Sequence, residues 1–190
     1  SCKKDQGPTD PPPQQQQPES ATGTYNSTSG GSFATTSGYG VSVIAGSVPK
    51  NDNGQSASVT FSIETGVTAP KPIPSGATQK GEVVKFGPDG FFFQWPVRIK
   101  MKYPTGADPT KLSVLYFDAL NDKWIAVPSS GANVDQKIVT ADVLSLGYFV
   151  LAELTGAPGK ILAGSAFGGF VYTNPALGNM WYTLTDMSVS

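Results

Sequence analysis

The chain has 190 residues, a net charge of −1 at pH 7, 22 Gly, 16 Pro and no histidine. That length suits one domain of ordinary size plus tails, and scattered, nearly balanced charge leaves no electrostatic footprint for nucleic acid. Lacking histidine removes the commonest general base and the commonest transition-metal ligand, and no run approaches the roughly 20 apolar residues that span a bilayer. Short alternating runs broken by Gly, Pro, Asn and Asp, with no long amphipathic helix, predict an all-β fold, an antiparallel β-sandwich. The expected organisation is a disordered tether over 1–37, the sandwich over 38–155, and a C-terminal β-hairpin extension, or the start of a further domain, over 156–190.

The only cysteine, Cys2, opens SCKKDQGPTDPPPQQQQPES. One cysteine makes neither an intramolecular disulfide nor a thiolate metal site. Its plain reading is an incidental terminal thiol. The residues after it say more: a short charged KKD, then a Pro- and Gln-rich run that buries no apolar surface. This start resembles that of a mature bacterial lipoprotein, with Ser1 as the small residue before the cleavage point. The resemblance implies lipidation at Cys2, a membrane partner reached through acyl chains, and a place on the bacterial outer membrane or cell surface. Each buried methylene of such a chain contributes about 0.8 kcal/mol.

Residues 21–37 are Ser, Thr and Gly with isolated Tyr25 and Phe33, and read as continued linker with one edge strand near Phe33. Val41 and Val43 open the first firm strand, AGSVP turns, and Val59, Phe61 and Ile63 alternate with Ser58, Thr60 and Ser62. KNDNG between them lacks calcium-loop spacing and reads as a turn. In GPDGFFFQWPVRIKMKYP, Val97, Ile99, Met101 and Tyr103 alternate with charged residues as in a half-buried strand. A period of two cannot send Phe91, Phe92 and Phe93 into one core. Parity places Phe91, Phe93 and Trp95 inward and Phe92 outward with Gln94.

Leu112, Val114 and Tyr116 share one face of the next strand and Leu115 and Phe117 the other, a pattern that needs cover on both sides. DALND turns into KWIAVP, where Trp124 is expected in the core. Asp118 and Asp122 read as turn carboxylates and not as a catalytic pair.

The series IAGSVP, ASVTFSI, EVVKFGPDG with PVRIKMKYP, KLSVLYFDALNDKWIAVPSS and KIVTADVLSLGYFVLAE resembles the ZU-five domain. That β-sandwich is named from zonula-occludens and netrin-receptor proteins and is also found in bacterial surface proteins. The resemblance covers Gly38 to Glu153 and rests on FGPDG with the later PV, the LYFD and KWIAVP pair, and the strand holding Phe149. It implies a non-enzymatic interaction or spacer module. Self-cleaving members carry His-Phe-Ser before the last strand, where this chain has Ser145, Leu146 and Gly147, so self-cleavage is not expected.

No two acids are spaced as a glycosidase pair, and no Gly-rich phosphate loop leads from a strand into a helix. The chain therefore reads as no enzyme, with no cofactor and no metal. It reads instead as a binding, adhesion or assembly module for an unidentified protein, with a carbohydrate-binding module as the alternative. The candidate binding patch is Phe91, Phe92 and Trp95, with Trp181 and Tyr182 from the apolar C-terminal segment. FGGFVYT and NMWYTLTDMSVS read there as two strands joined at NPALGN. Docking of that segment over the phenylalanines is one expectation, and a partner on them the other.

Overall fold

The structure, a computed structural model, describes residues 17–127 and 129–155 and two further strands near the C-terminus. In chain order the strands are β1 (Ser20–Asn26), β2 (Gly31–Ala34), β3 (Gly40–Val43), β4 (Ser58–Glu64), β5 (Ala77–Gln79), β6 (Val84–Gly87) and β7 (Phe92–Lys102). They continue as β8 (Leu112–Asp118), β9 (Lys123–Val127), β10 (Ser129–Asn133), β11 (Ile138–Ser145) and β12 (Tyr148–Leu154). β13 (Phe170–Asn174) and β14 (Asn179–Thr183) form a two-stranded ribbon of their own. The others build two antiparallel sheets, an all-β sandwich as the alternation predicts. One runs β1-β4-β6-β12-β8-β9 with β5 added on β12, and the other runs β10-β11-β7-β3-β2.

The inward rows of the two sheets make the main core. Val41, Val43, Phe61, Ile63, Phe93, Val97, Ile99, Met101 and Phe149 are all buried in it, most of them from period-two runs in the sequence. Phe61 of one sheet stacks on Phe93 of the other at 5.3 Å between ring centres, and Phe86 meets Phe149 edge-on at 5.6 Å.

A second apolar layer lies outside the six-strand path. Leu115, Phe117, Trp124, Val150 and Ala152 point away from the main core and are covered by Val67, Ala69 and Ile73 of the Pro-rich connection 66–76. The Trp124 indole N–H donates to the Lys71 carbonyl at 3.0 Å and so fastens this strap. The β8 pattern, apolar on both faces, is thereby accounted for.

The linker reading of residues 21–37 is corrected, while the edge strand expected near Phe33 is present as β2, at the end of the five-stranded sheet. β1 pairs with β4 over seven residues and β2 pairs with β3. Tyr25 packs against Phe61 at 5.9 Å and Phe33 at 6.3 Å. The glycines that made the stretch look like linker leave room for rings. A Cβ on Gly23 would stand 2.7 Å from the Phe33 ring, and one on Gly31 would strike Tyr25.

Glu19 clasps β1 to both sheets. Its backbone N–H donates to the Thr65 hydroxyl at 2.9 Å, and its carboxylate accepts the Ser37 N–H and hydroxyl, each at 2.9 Å. Those Ser37 hydrogen bonds hold the carboxyl below the usual glutamate range. A depressed carboxylate stabilises the fold above its unfolded pKa and loses that contribution as pH falls through the folded value. Glu19→Gln should therefore lower the melting temperature at pH 7. Thermal melts from pH 7 down to pH 3 should show the gap to the parent closing at the acid end.

Both chain ends of the sandwich leave from one pole. Lys102, the last residue of β7, acts on the Glu19 carboxylate, and its carbonyl lies near Gly81. Next to Gly81, the Lys80 N–H donates to the Leu151 carbonyl, and Thr155 N–H donates to the Gly76 carbonyl. Phe92 lies at the other end of β7, about 30 Å away for eleven residues at about 3.3 Å each with a bulge between.

Candidate functional site

The register of β7 against β11 breaks at the far pole. Val97 pairs with Val143 and Phe92 with Ser145, so the four residues Phe93–Pro96 stand opposite Leu144 alone. This wide bulge changes what parity dictates. Phe93 still turns inward and is buried. Trp95, expected inward, is instead 55% exposed. The bulge is stitched to the loop after β3 by the Gln94 N–H, which donates to the Ser47 carbonyl at 2.9 Å. The Trp95 indole lies over Gly46, where a Cβ would approach its ring to 3.2 Å and where φ is +90°.

Phe92 points outward and is 71% exposed, as parity predicts. Phe91 departs from the patch. It is half-buried, packs on the main core and lies 5.0 Å from Phe93 ring to ring. Two residues that the sequence reading did not single out join the patch. Ser42 and Asp142 flank Arg98 in register on the outward face. Two positions further along the same face stand Ile44 and Leu144, 58% and 51% exposed. Their signal was legible: each sits on the outward parity of a strand whose valines face in.

The far end of the five-stranded sheet thus carries Ile44, Phe92, Trp95 and Leu144. Phe92 pairs with Ser145, the chain neighbour of Leu144, and Trp95 lies over Gly46, two residues after Ile44. The middle of the face is polar. Arg98 holds Asp142 in a two-pronged ion pair of 2.7 and 2.8 Å. A shallow cleft of about 340 Å³ lies beside it, lined by residues 32–34 and 40–42 with Arg98, Lys100 and Thr140. Phe33 is the one aromatic residue lining that cleft, and none of Ile44, Phe92, Trp95 and Leu144 does, so the exposed apolar pole and the concavity do not coincide.

The remaining candidates take structural places. Asp118 accepts the Leu120 and Asn121 N–H groups at 3.0 and 3.3 Å and the Asn121 amide at 2.6 Å. Its carboxyl is held below the usual range, chiefly by that Asn121 amide. Asp122 pairs with Lys71 at 2.8 Å. In KNDNG, Asn51 accepts the Asn53 and Gln55 N–H groups, as a turn residue does. Ser145 donates only to the Leu146 carbonyl, at 3.5 Å, and Leu146 is buried.

Trp181 and Tyr182 stand in β14, opposite Tyr172 and Val171 of β13. Packing of the C-terminal segment over the patch lies outside the described residues. A scan against family models and a search of curated proteins both return no match to this chain.

Proposed function

We propose that this chain is a non-catalytic cell-surface lipoprotein whose ZU-five-like sandwich binds protein through the apolar pole of its five-stranded sheet. The observation that carries the reading is the gathering of Ile44, Phe92, Trp95 and Leu144, each more than half exposed, at that pole. Large apolar side chains gathered in solvent at one pole are what an interaction surface presents. Its composition favours protein over sugar. Branched aliphatic side chains offer no flat platform to a sugar ring, and the cleft nearby is lined by Phe33 but by neither Trp nor Tyr. Covering four half-exposed apolar side chains yields about 3–6 kcal/mol. That is comparable with the cost of association, so the patch is an anchor for a weak or multivalent contact.

The serial order of its strand motifs supports the ZU-five-like part of the proposal. The anchor rests on Cys2 and the polar, Pro- and Gln-rich run after it. Acyl chains on Cys2 would hold the domain at the bacterial outer membrane with the patch at the pole away from the tether.

A photo-crosslinking residue placed at Phe92 in cells tests the binding reading, with Leu120, 91% exposed in the β8–β9 turn, as the control position. Position 92 should yield discrete protein adducts and position 120 none. Adducts to glycan, or no position-specific adduct, overturn it. For the anchor, Cys2→Ser should move the protein from the membrane pellet to the soluble fraction without changing its melting temperature. Unchanged retention in the pellet defeats the lipoprotein reading.

A further inference from the structure

At alternate positions β7 sends Arg98, Lys100 and Lys102 to the outer face of the five-stranded sheet. Two of these cations are matched by acids of the same chain. Arg98 grips Asp142 with two hydrogen bonds, and Lys102 acts on the Glu19 carboxylate. Lys100 stands between them, half-buried, and among the described residues no carboxylate pairs with it. Such an ammonium has lost part of its water and gains from a carboxylate that reaches it from outside.

The ammonium is also held in place. Gly40 pairs with Lys100 across the strands, and a Cβ there would stand 3.0 Å from the Lys100 Cε. Gly40 does not have a positive φ, so backbone conformation does not demand glycine at this position. What the glycine supplies is the trough in which the lysine stem lies. Ser32 and Ser42, exposed on the next row, bring hydroxyls to the same cleft of about 340 Å³. Among the described residues no Asp or Glu lines it. A lysine, the unused N–H groups of Arg98 and two hydroxyls all donate, and the complement of clustered donors is an anion.

Position selects the kind of anion. Ile44 lies four residues beyond Gly40 with the same facing, about 13 Å away at about 3.3 Å per residue. Leu144 stands at the same spacing from Thr140 on β11. An extended protein segment repeats its facing every two residues, so an acid and an apolar side chain four apart reach both places together. A sugar acid has no apolar branch to offer Ile44 and Leu144.

We infer that the cleft beside Lys100 receives a carboxylate of the same protein partner that covers Ile44, Phe92, Trp95 and Leu144. The inference rests on that pole being a protein-binding surface. It adds the partner's chemistry, an acidic residue about 13 Å from its apolar anchor. Such a contact forms faster at low salt and weakens as salt screens the exposed charges.

The test is amide NMR on the full 190-residue chain carrying Cys2→Ser. The probe is a synthetic peptide with Glu and Leu four residues apart, made in both orders. A peptide with Gln in place of that Glu and a trimer of galacturonate are the comparisons. The Glu peptide, in one order or the other, should shift the Ser42, Lys100 and Ile44 amides. The Gln peptide, and Lys100→Glu in the chain, should each weaken binding at least tenfold, whereas Lys100→Arg should keep it. Lys100→Gln repeats the loss without reversing the charge, and melting temperatures check that every variant folds. No shift of these amides at millimolar peptide overturns the inference, as does equal binding of the Gln peptide. Tighter binding of the galacturonate trimer at the cleft also overturns it, because the anion is then a sugar acid. The crosslink at position 92 keeps the two readings apart. A protein adduct that fades at least tenfold with Lys100→Glu supports both. An adduct undiminished by Lys100→Glu sinks the carboxylate site and leaves the binding surface standing. No protein adduct in the parent removes both.

Discussion

Phe93→Ala should cost about 3–5 kcal/mol in urea or thermal unfolding, the range of large-to-small aromatic changes in cores. Phe93 is buried at the seam between the sheets, stacked on Phe61 and touching Phe91. Deleting its ring leaves a void bounded by the Phe61 ring, on β4 between two paired strands, and by the Phe91 ring, so the site collapses little to fill it. Phe92→Ala, one residue away, should change the stability of the isolated monomer by less than about 0.5 kcal/mol, because its side chain is mostly in solvent. A large loss at 92 or a small one at 93 would show that the bulge does not set the facing of β7 side chains.

The second large effect is expected at Trp124. Trp124→Ala removes a ring packed edge-on against Phe117 at 5.4 Å and the N–H donor that fastens Lys71. It should cost about 3–5 kcal/mol. The loss has a local signature that Phe93→Ala lacks. The Pro-rich strap over 66–76 is freed, so limited proteolysis with an enzyme of broad specificity should cut within 66–76 before the sandwich melts. Trp124→Phe should recover much of the packing but leave the Lys71 carbonyl without its donor, and fall between the two.

Much of this fold was legible in the residues. Val59, Phe61 and Ile63, the two-faced β8, and Asp118 as a turn residue all come from period two and from the hydrogen-bonding habits of aspartate. What escaped did so for physical reasons. β1 is poor in large apolar residues, and its Gly23, which makes room for the Phe33 ring, cannot be told from linker by composition, whereas the edge strand near Phe33 was legible and is β2. Trp95 was named in the candidate patch, but its outward facing escaped parity counting, which has no term for the residues a bulge inserts. The strap escaped because Val67, Ala69 and Ile73 are spaced by prolines and keep to no strand period. Of the patch, Phe92 was found by parity. Ile44 and Leu144 were equally open to parity but were overshadowed by the aromatic run.

The placement of both chain ends at one pole also fixes how the domain meets force. A pull on the chain before Glu19, resisted at the Phe92 pole, runs along β1. The hydrogen bonds of an antiparallel pair lie across the strands. All seven register pairs of β1 with β4 are then loaded together in shear, and they do not peel open one after another. A pull between Glu19 and Thr155 instead loads β1 and β12, two strands separated by β4 and β6, and leaves the Phe92 pole unloaded. Load direction, and not total stability, therefore decides which part of this sandwich yields first.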